Sequence, residues 1–273
     1  MSASAISPEV ESVKTRLKNT WMAGDYDRFS RYIESSARDF YDRLHVAPGC
    51  QLLDVGCGSG QLALIAAKDG LEVTGVDIAS NLVERARARA QSEGLRARFE
   101  EADAEALPFE DASFDVMASL IAAMFAPRPD LVAKELLRVC KPGGTIAMAN
   151  WTPQGFIGQM FKTVSKFIAP SGMPSPVLWG DEPTVRERLD KGLSSLTLVW
   201  RHYTLSYPFP PSEVVECFRL YYGPTNQAFA SLDAGGCESL RQELEALWSA
   251  HNRAGMDCTT VFAEYLEVIG IRA

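Results

Sequence analysis

Between residues 50 and 151, short apolar runs alternate with helical segments, and this alternation leaves few folds open. The runs are CQLLDV (50–55), EVTGVDI (72–78), RARFEEAD (96–103), FDVMASL (114–120) and TIAMANW (145–151). Helical patterns lie between most of them: GQLALIAAKDG closing at Gly70, NLVERARARAQSEG with Ser80 as its N-cap and Gly94 past its end, and DLVAKELLRVC (130–140) before a KPGG turn. Strands separated by helices pair in parallel through right-handed crossovers, which predicts an α/β, doubly wound sheet. Most of the runs are largely apolar, as expected where helices cover both faces of a sheet.

The flanks read differently. Residues 8–45 carry apolar and aromatic positions at helical spacing (Val13, Leu17, Trp21; Phe29, Tyr32, Ile33; Phe40, Tyr41, Leu44), interrupted at Gly24-Asp25. After Trp151 come a helical stretch that turns proline-rich by 180, a helix at EPTVRERLDK and a strand at LTLVWRHYTLSY (196–207). Two more helical stretches and a terminal strand, TTVFAEYLEVIGIR, complete the chain. The two late strands add an antiparallel edge, giving seven strands, with the intervening helices as a cap. The expected layout is N-terminal helices over 1–45, a ligand-binding core over 46–151, and cap helices with the last two strands over 152–273, not an independent domain.

Composition bounds the function class. The chain has 273 residues, 47% hydrophobic and 23% charged, with a net charge of −8, as in ordinary globular proteins. This balance argues against a nucleic-acid partner, since duplex binders carry a basic face. The arginines of ERARARAQSEGLRAR spread over more than one helix face and read as solvated. No apolar run approaches the ~20 residues of a membrane span, and MSASAISPEVESVKTR has no basic-then-apolar leader pattern. The six cysteines form no CxxC pair and no zinc-spaced cluster with histidine, so no metal site is expected, and reduced thiols point to the cytoplasm. Nothing in the sequence specifies an oligomeric state.

The chemistry starts at DVGCGSG. Gly56, Gly58 and Gly60 follow a strand and open a helix. Glycines there permit positive φ and close approach of a ligand to backbone, and a helix N-terminus offers unpaired N–H groups. The spacing is G-x-G-x-G; the dinucleotide pattern G-x-G-x-x-G would place a glycine at 61, where glutamine stands, and the Gly-Lys-Ser/Thr of a Walker loop is absent. Asp77, ending the second strand, suits both hydroxyls of a ribose, in a dinucleotide or an adenosyl ligand. Asp103, at the carboxyl end of the third strand, suits an adenine amino group, with the Ala104 N–H facing a ring nitrogen; a helix N-cap is its other reading.

The segments LLDVGCGSGQLAL, VTGVDIASNLVERAR, EADAEALPFEDASFDVMAS and ELLRVCKPGGTIAMANW resemble, in order and spacing, the motifs of class I S-adenosylmethionine-dependent methyltransferases. The resemblance spans about 45–151 and is nearest the small-molecule group that includes the quinone-biosynthesis C-methyltransferases. It implies a Rossmann-like methyltransferase fold and S-adenosyl-L-methionine as methyl donor, with S-adenosyl-L-homocysteine as product. It implies that Asp54, Gly56, Gly58 and Gly60 surround the methionine part, Asp77 holds the ribose, Ile78 lies on the adenine, Asp103 and Ala104 meet its edge, and Ser119 faces the sulfur and the acceptor. Tyr26 and Trp21 are candidates for a lid over the cofactor, against ordinary packing on the sheet.

The aromatic side chains of the cap suit an apolar or aromatic small-molecule acceptor, methylated on oxygen or carbon; equally, a cap needs a core of its own. No residue stands out as the general base. His202, on the polar face of its strand with Trp200, Thr204 and Ser206, is one candidate; His45, before the first strand, and Tyr221 and Tyr222, placed to orient an acceptor, are others, while His251 reads as surface. Two alternatives stay open: an S-adenosylmethionine-binding regulator without catalysis, and an NAD-linked oxidoreductase, which the glycine spacing disfavours.

Overall fold

The computed structural model describes residues 8–169 and 172–273. Residues 1–7, part of the leader reading, and Pro170 and Ser171 of the proline-rich stretch lie outside them.

A single sheet organises the chain. Its strands are β1 (Gln51–Val55), β2 (Glu72–Asp77), β3 (Ala97–Glu101), β4 (Phe114–Leu120), β5 (Cys140–Trp151), β6 (Leu193–Tyr207) and β7 (Thr259–Arg272), in the spatial order β3-β2-β1-β4-β5-β7-β6. The first five are mutually parallel; β7 runs antiparallel to both β5 and β6. The chain steps outward from β1 to β3 and then crosses back to β4, so strand order reverses between β1 and β4. A crevice opens beyond the carboxyl ends of strands at such a switch point.

Helices α4 (Gln61–Lys68), α5 (Ser80–Ser92) and α6 (Pro129–Val139) make the crossovers. Each turns its apolar stripe inward: Leu62, Ala63, Leu64 and Ala66 of α4; Leu82, Val83, Ala86 and Ala90 of α5; Val132, Ala133, Leu136 and Val139 of α6. The arginines of α5 lie outside that stripe; Arg87 donates to the Phe99 carbonyl and Arg89 pairs with Glu34.

Three local expectations differ from what forms. Ser80 is the first residue of α5 rather than its cap; Ala79 takes that place, and its N–H is held by Asp77 at 2.9 Å. KPGG does not precede β5 as a separate turn but belongs to it: β5 begins at Cys140, with the register slipping between Phe114 and Val116 on its neighbour. The third strand ends at Glu101, so Asp103 sits beyond it.

Helices α1 (Pro8–Met22), α2 (Tyr26–Ser30) and α3 (Glu34–Asp42) precede the sheet. After β5 come α7 (Phe156–Ser165) and α8 (Glu182–Leu189), and between β6 and β7 lie α9 (Pro211–Tyr221), α10 (Gly223–Ala230) and α11 (Ala234–His251). Their aromatic side chains interlock: Trp248 of α11 meets Phe156 at 4.5 Å and Phe218 at 5.2 Å. Buried side chains from the N-terminal helices, the sheet and the cap form one continuous core. All six cysteines are free thiols. Among the described residues no helix is long and apolar enough to cross a membrane.

Candidate active site

The turn after β1 is built by its glycines. Gly56, Gly58 and Gly60 have φ of 77°, 53° and 89°, the left-handed region that side chains disfavour. The N–H groups of Gly56 and Cys57 both donate to the Val76 carbonyl, at 2.8 and 2.9 Å, which folds the turn across the end of β2. A Cβ on Gly56 would lie 2.2 Å from that of Ala122 in the loop after β4, so any side chain there would close the gap. Gly58 lies against the Tyr26 ring. Gly60 faces away, packing on Ala86 and Leu64 and starting α4.

Three carboxylates surround the turn. Asp54 is 2% exposed and accepts one hydrogen bond, from the Ala63 N–H at 3.2 Å. Burial, with Asp77 adding to it, raises its pKa to about 7. Asp77 accepts from the Gly58 N–H with one oxygen and from the Ala79 N–H with the other, both at 2.9 Å; burial outweighs these bonds and raises its pKa too. The second strand's acid therefore clamps the glycine turn in addition to facing the crevice. Asp103 accepts from the Glu105 N–H at 2.9 Å and pairs with Lys14 of α1. Lys14 also reaches the fully buried carboxylate of Glu105 at 2.6 Å, and Arg128 holds Glu105 from the other side at 2.7 Å.

Asp54, Gly56, Gly58, Asp77, Ile78, Asp103 and Ala104 all line one cavity, together with Tyr26 and Tyr222. Ser119 does not line it. The Ser119 hydroxyl donates to the Val55 carbonyl at 2.8 Å and accepts from the Ala123 N–H at 2.9 Å, bracing β4 against β1 behind the wall. Leu120, Ile121 and Ala122 form the wall instead. Ile121 has a φ of 54°, which a β-branched residue adopts only under strain of about 1–3 kcal/mol.

The remaining candidates stand apart. His45 is exposed before β1, at the end of the sheet opposite the crevice. His202 is exposed beside Phe262, on the face of β6 away from the cavity; its neighbours Tyr203 and Leu205 line the cavity from the other face. The Tyr221 ring lies outside the wall under the Arg28 guanidinium. His251 bonds the Leu247 carbonyl.

Lys14 and Gln61 are cavity residues that the motifs do not announce. Lys14 shares the inward stripe of α1 with Leu17 and Trp21, and a lysine on such a stripe signals a buried acidic partner. Gln61 joins the Ser30 and Ser59 hydroxyls, tying α2 to the glycine turn.

The cavity lining is divided by chemistry. One end carries the three carboxylates and the glycine turn. The other is walled by Trp21, Phe125, Trp151, Met160, Leu205 and Phe218. Asp54 and Asp77, buried without a cationic partner among the described residues, suit a ligand bearing an ammonium, a sulfonium and a ribose. A phosphate-bearing dinucleotide would find one cation among the described lining residues, Lys14, already paired with two carboxylates.

Comparison with known proteins points the same way. The family model described as a methyltransferase domain matches residues 53–148. An uncharacterised protein of Mycobacterium tuberculosis is 36% identical over 215 residues, 78% of this chain and 78% of its own length. The 2-methyl-6-phytyl-1,4-hydroquinone methyltransferase of Synechocystis is 47% identical over 105 residues, 38% of this chain and 33% of that enzyme. The solved structure of Haemonchus contortus phosphoethanolamine N-methyltransferase 2, holding S-adenosylhomocysteine, superposes with a TM-score of 0.58 at 19% identity, covering 87% of this chain and 52% of that one. The glycine spacing, the acidic strand ends and these likenesses agree: the chain belongs to the class I S-adenosylmethionine-dependent methyltransferases.

Proposed function

We propose that this enzyme methylates a small, apolar or aromatic molecule on oxygen or carbon. The observation that carries the reading is the wall beyond the glycine turn, where aromatic and aliphatic side chains replace the carboxylates. Such a chamber excludes water and rewards burial of a flat apolar acceptor, at about 25 cal/mol per Å2 of apolar surface.

Within it the residues divide by chemistry. Asp54, Gly56 and Gly58 would hold the methionine end of the cofactor, the carboxylate opposite its ammonium. Asp77 would take the ribose hydroxyls, Ile78 the adenine face, and Asp103 with the Ala104 N–H the adenine edge. Gly60 and Ser119 would support these contacts from behind. Tyr26, against Gly58, would cover the cofactor as part of a lid made by the first two helices. Six free thiols suit a reducing, cytoplasmic setting. Bound there, the cofactor would supply an electrophilic methyl group to the electron pair of an acceptor already ionised to solvent, a phenolate or enolate, and would leave as the thioether. The protein's share is alignment and a dry site.

The test is transfer of radiolabelled methyl from S-adenosylmethionine across a panel of phenols, hydroquinones, β-dicarbonyl compounds, amines, RNA and protein. Label in phenols, hydroquinones or β-dicarbonyl compounds is expected. Label confined to amines or macromolecules would overturn the reading.

A further inference from the structure

Two hydroxyls at the cavity wall have no partner among the described residues. Tyr203, on the same wall, donates to the Ile33 carbonyl at 2.7 Å. The hydroxyls of Tyr26 and Tyr222 make no hydrogen bond among the described residues, and neither is sealed inside packing as the Tyr207 hydroxyl is. A buried phenol normally finds a partner, so an open one beside a cavity awaits a ligand.

Tyr222 is held firmly. Its ring meets Trp21 edge-on at 5.8 Å, Phe218 at 5.4 Å and Phe29 at 5.1 Å. Its N–H donates to the Phe218 carbonyl at 3.0 Å, ending α9. The next residue, Gly223, presses on α1 so closely that a Cβ would lie 2.0 Å from the Thr20 carbonyl oxygen. The Tyr26 ring joins the same cluster, 5.9 Å from Trp21 and 5.7 Å from Phe29. Burial raises both phenol pKa values, and the charge of Tyr26 would raise that of Tyr222 further, so the two lie within electrostatic reach and both stay protonated at neutral pH. They donate hydrogen bonds; they do not take protons. Tyr26 also borders the glycine turn, which leaves Tyr222 as the donor on the apolar side.

We propose that Tyr222, with Tyr26 beside it, anchors the methyl acceptor by donating a hydrogen bond to a carbonyl, phenolate or enolate oxygen adjoining the methylated atom. Resting on the proposed function, this narrows the acceptor class to oxygenated planar molecules. A fixed O–H in an apolar chamber stabilises negative charge on oxygen far better than water-exposed groups do.

The test uses 4-hydroxycoumarin, an enolate at neutral pH, and coumarin, which lacks that oxygen, as probes. Each is titrated into the full chain saturated with S-adenosylhomocysteine, following the fluorescence of Trp21 and Trp151 on the cavity wall. Wild type is expected to prefer 4-hydroxycoumarin at least about tenfold, the size of one buried hydrogen bond. Tyr222→Phe removes the preference while coumarin and S-adenosylhomocysteine affinities hold within about twofold. A wild type without preference overturns the anchor while leaving the apolar-acceptor reading intact, as does an unchanged preference in Tyr222→Phe. Binding of neither probe, with S-adenosylhomocysteine still bound, overturns both. If Tyr222→Phe does not fold, Tyr26→Phe takes its place: a reduced preference there supports the pair, and an unchanged one removes it.

Discussion

Asp54→Asn tests the electrostatics of the glycine turn by producing two opposite effects. The Asp54 carboxyl is buried with a single N–H partner, and its pKa stands at about 7 against an ordinary 3.8. At 1.36 kcal/mol per pH unit, that difference makes ionised Asp54 cost the empty protein about 4 kcal/mol. The native state keeps a proton here that the unfolded chain has lost, so the stability of the empty protein falls as pH rises from about 4 to about 7, then levels off. Asparagine keeps the acceptor for the Ala63 N–H and carries no charge. The variant is therefore expected to be more stable than wild type by up to about 4 kcal/mol at pH 8.5, and by less than about 2 kcal/mol at pH 5. At roughly 2 °C per kcal/mol for a chain of this length, differential scanning calorimetry would register about 8 °C at the higher pH. Affinity for S-adenosylmethionine moves the opposite way: the wild-type carboxylate gains its proposed ammonium partner, and the variant loses a charged hydrogen bond of ~1.5–3 kcal/mol, about ten- to a hundredfold in affinity. Calorimetry at pH 6 in two buffers of different ionisation heat should show protons released on binding to wild type and fewer to the variant. An empty variant no more stable than wild type at pH 8.5 would refute the argument from burial.

Gly56→Ala combines positive φ with a clash against Ala122 and is expected to cost roughly 2–5 kcal/mol in urea unfolding; adding Ala122→Gly should recover only the clash. Lys14→Met leaves Glu105 with Arg128 but strips Asp103 of its cation, so a loss of about 1–3 kcal/mol is expected, with faster amide exchange over residues 8–22. Asp77→Ala removes the clamp on Gly58 and the proposed ribose partner, and S-adenosylhomocysteine affinity should fall by about 1–3 kcal/mol. Unchanged affinity in that variant would sink the ribose assignment.

What was legible in the chain was local. The apolar runs and glycines located β1, β2 and β4 to within one residue, because a strand covered on both faces must be apolar and a turn of this shape must be glycine; β3, at the sheet edge, buries only Phe99, and β5 begins five residues ahead of its apolar run. The reach of the first helix was not legible: the lysine that grips Asp103 lies 89 residues away in the chain. Period-two alternation separated His202 from Tyr203 and Leu205, yet which face meets the cavity depends on the helices packed over the sheet, and the less polar face does. Ser119 stands at the end of β4 as expected, but its hydroxyl answers to a carbonyl on the neighbouring strand, a partner that only strand order supplies. The antiparallel pair was expected; that β7 enters between β5 and β6 is a property of topology, not of either segment's pattern.

The matched methyltransferase domain ends at residue 148, and most of the apolar chamber lies outside it: Trp21 and Tyr26 before it, Trp151, Met160, Leu205, Phe218 and Tyr222 after it. The two kinds of lining are therefore carried by separate stretches of chain, so substitutions in the flanking helices would reshape the apolar wall while leaving the glycine turn untouched.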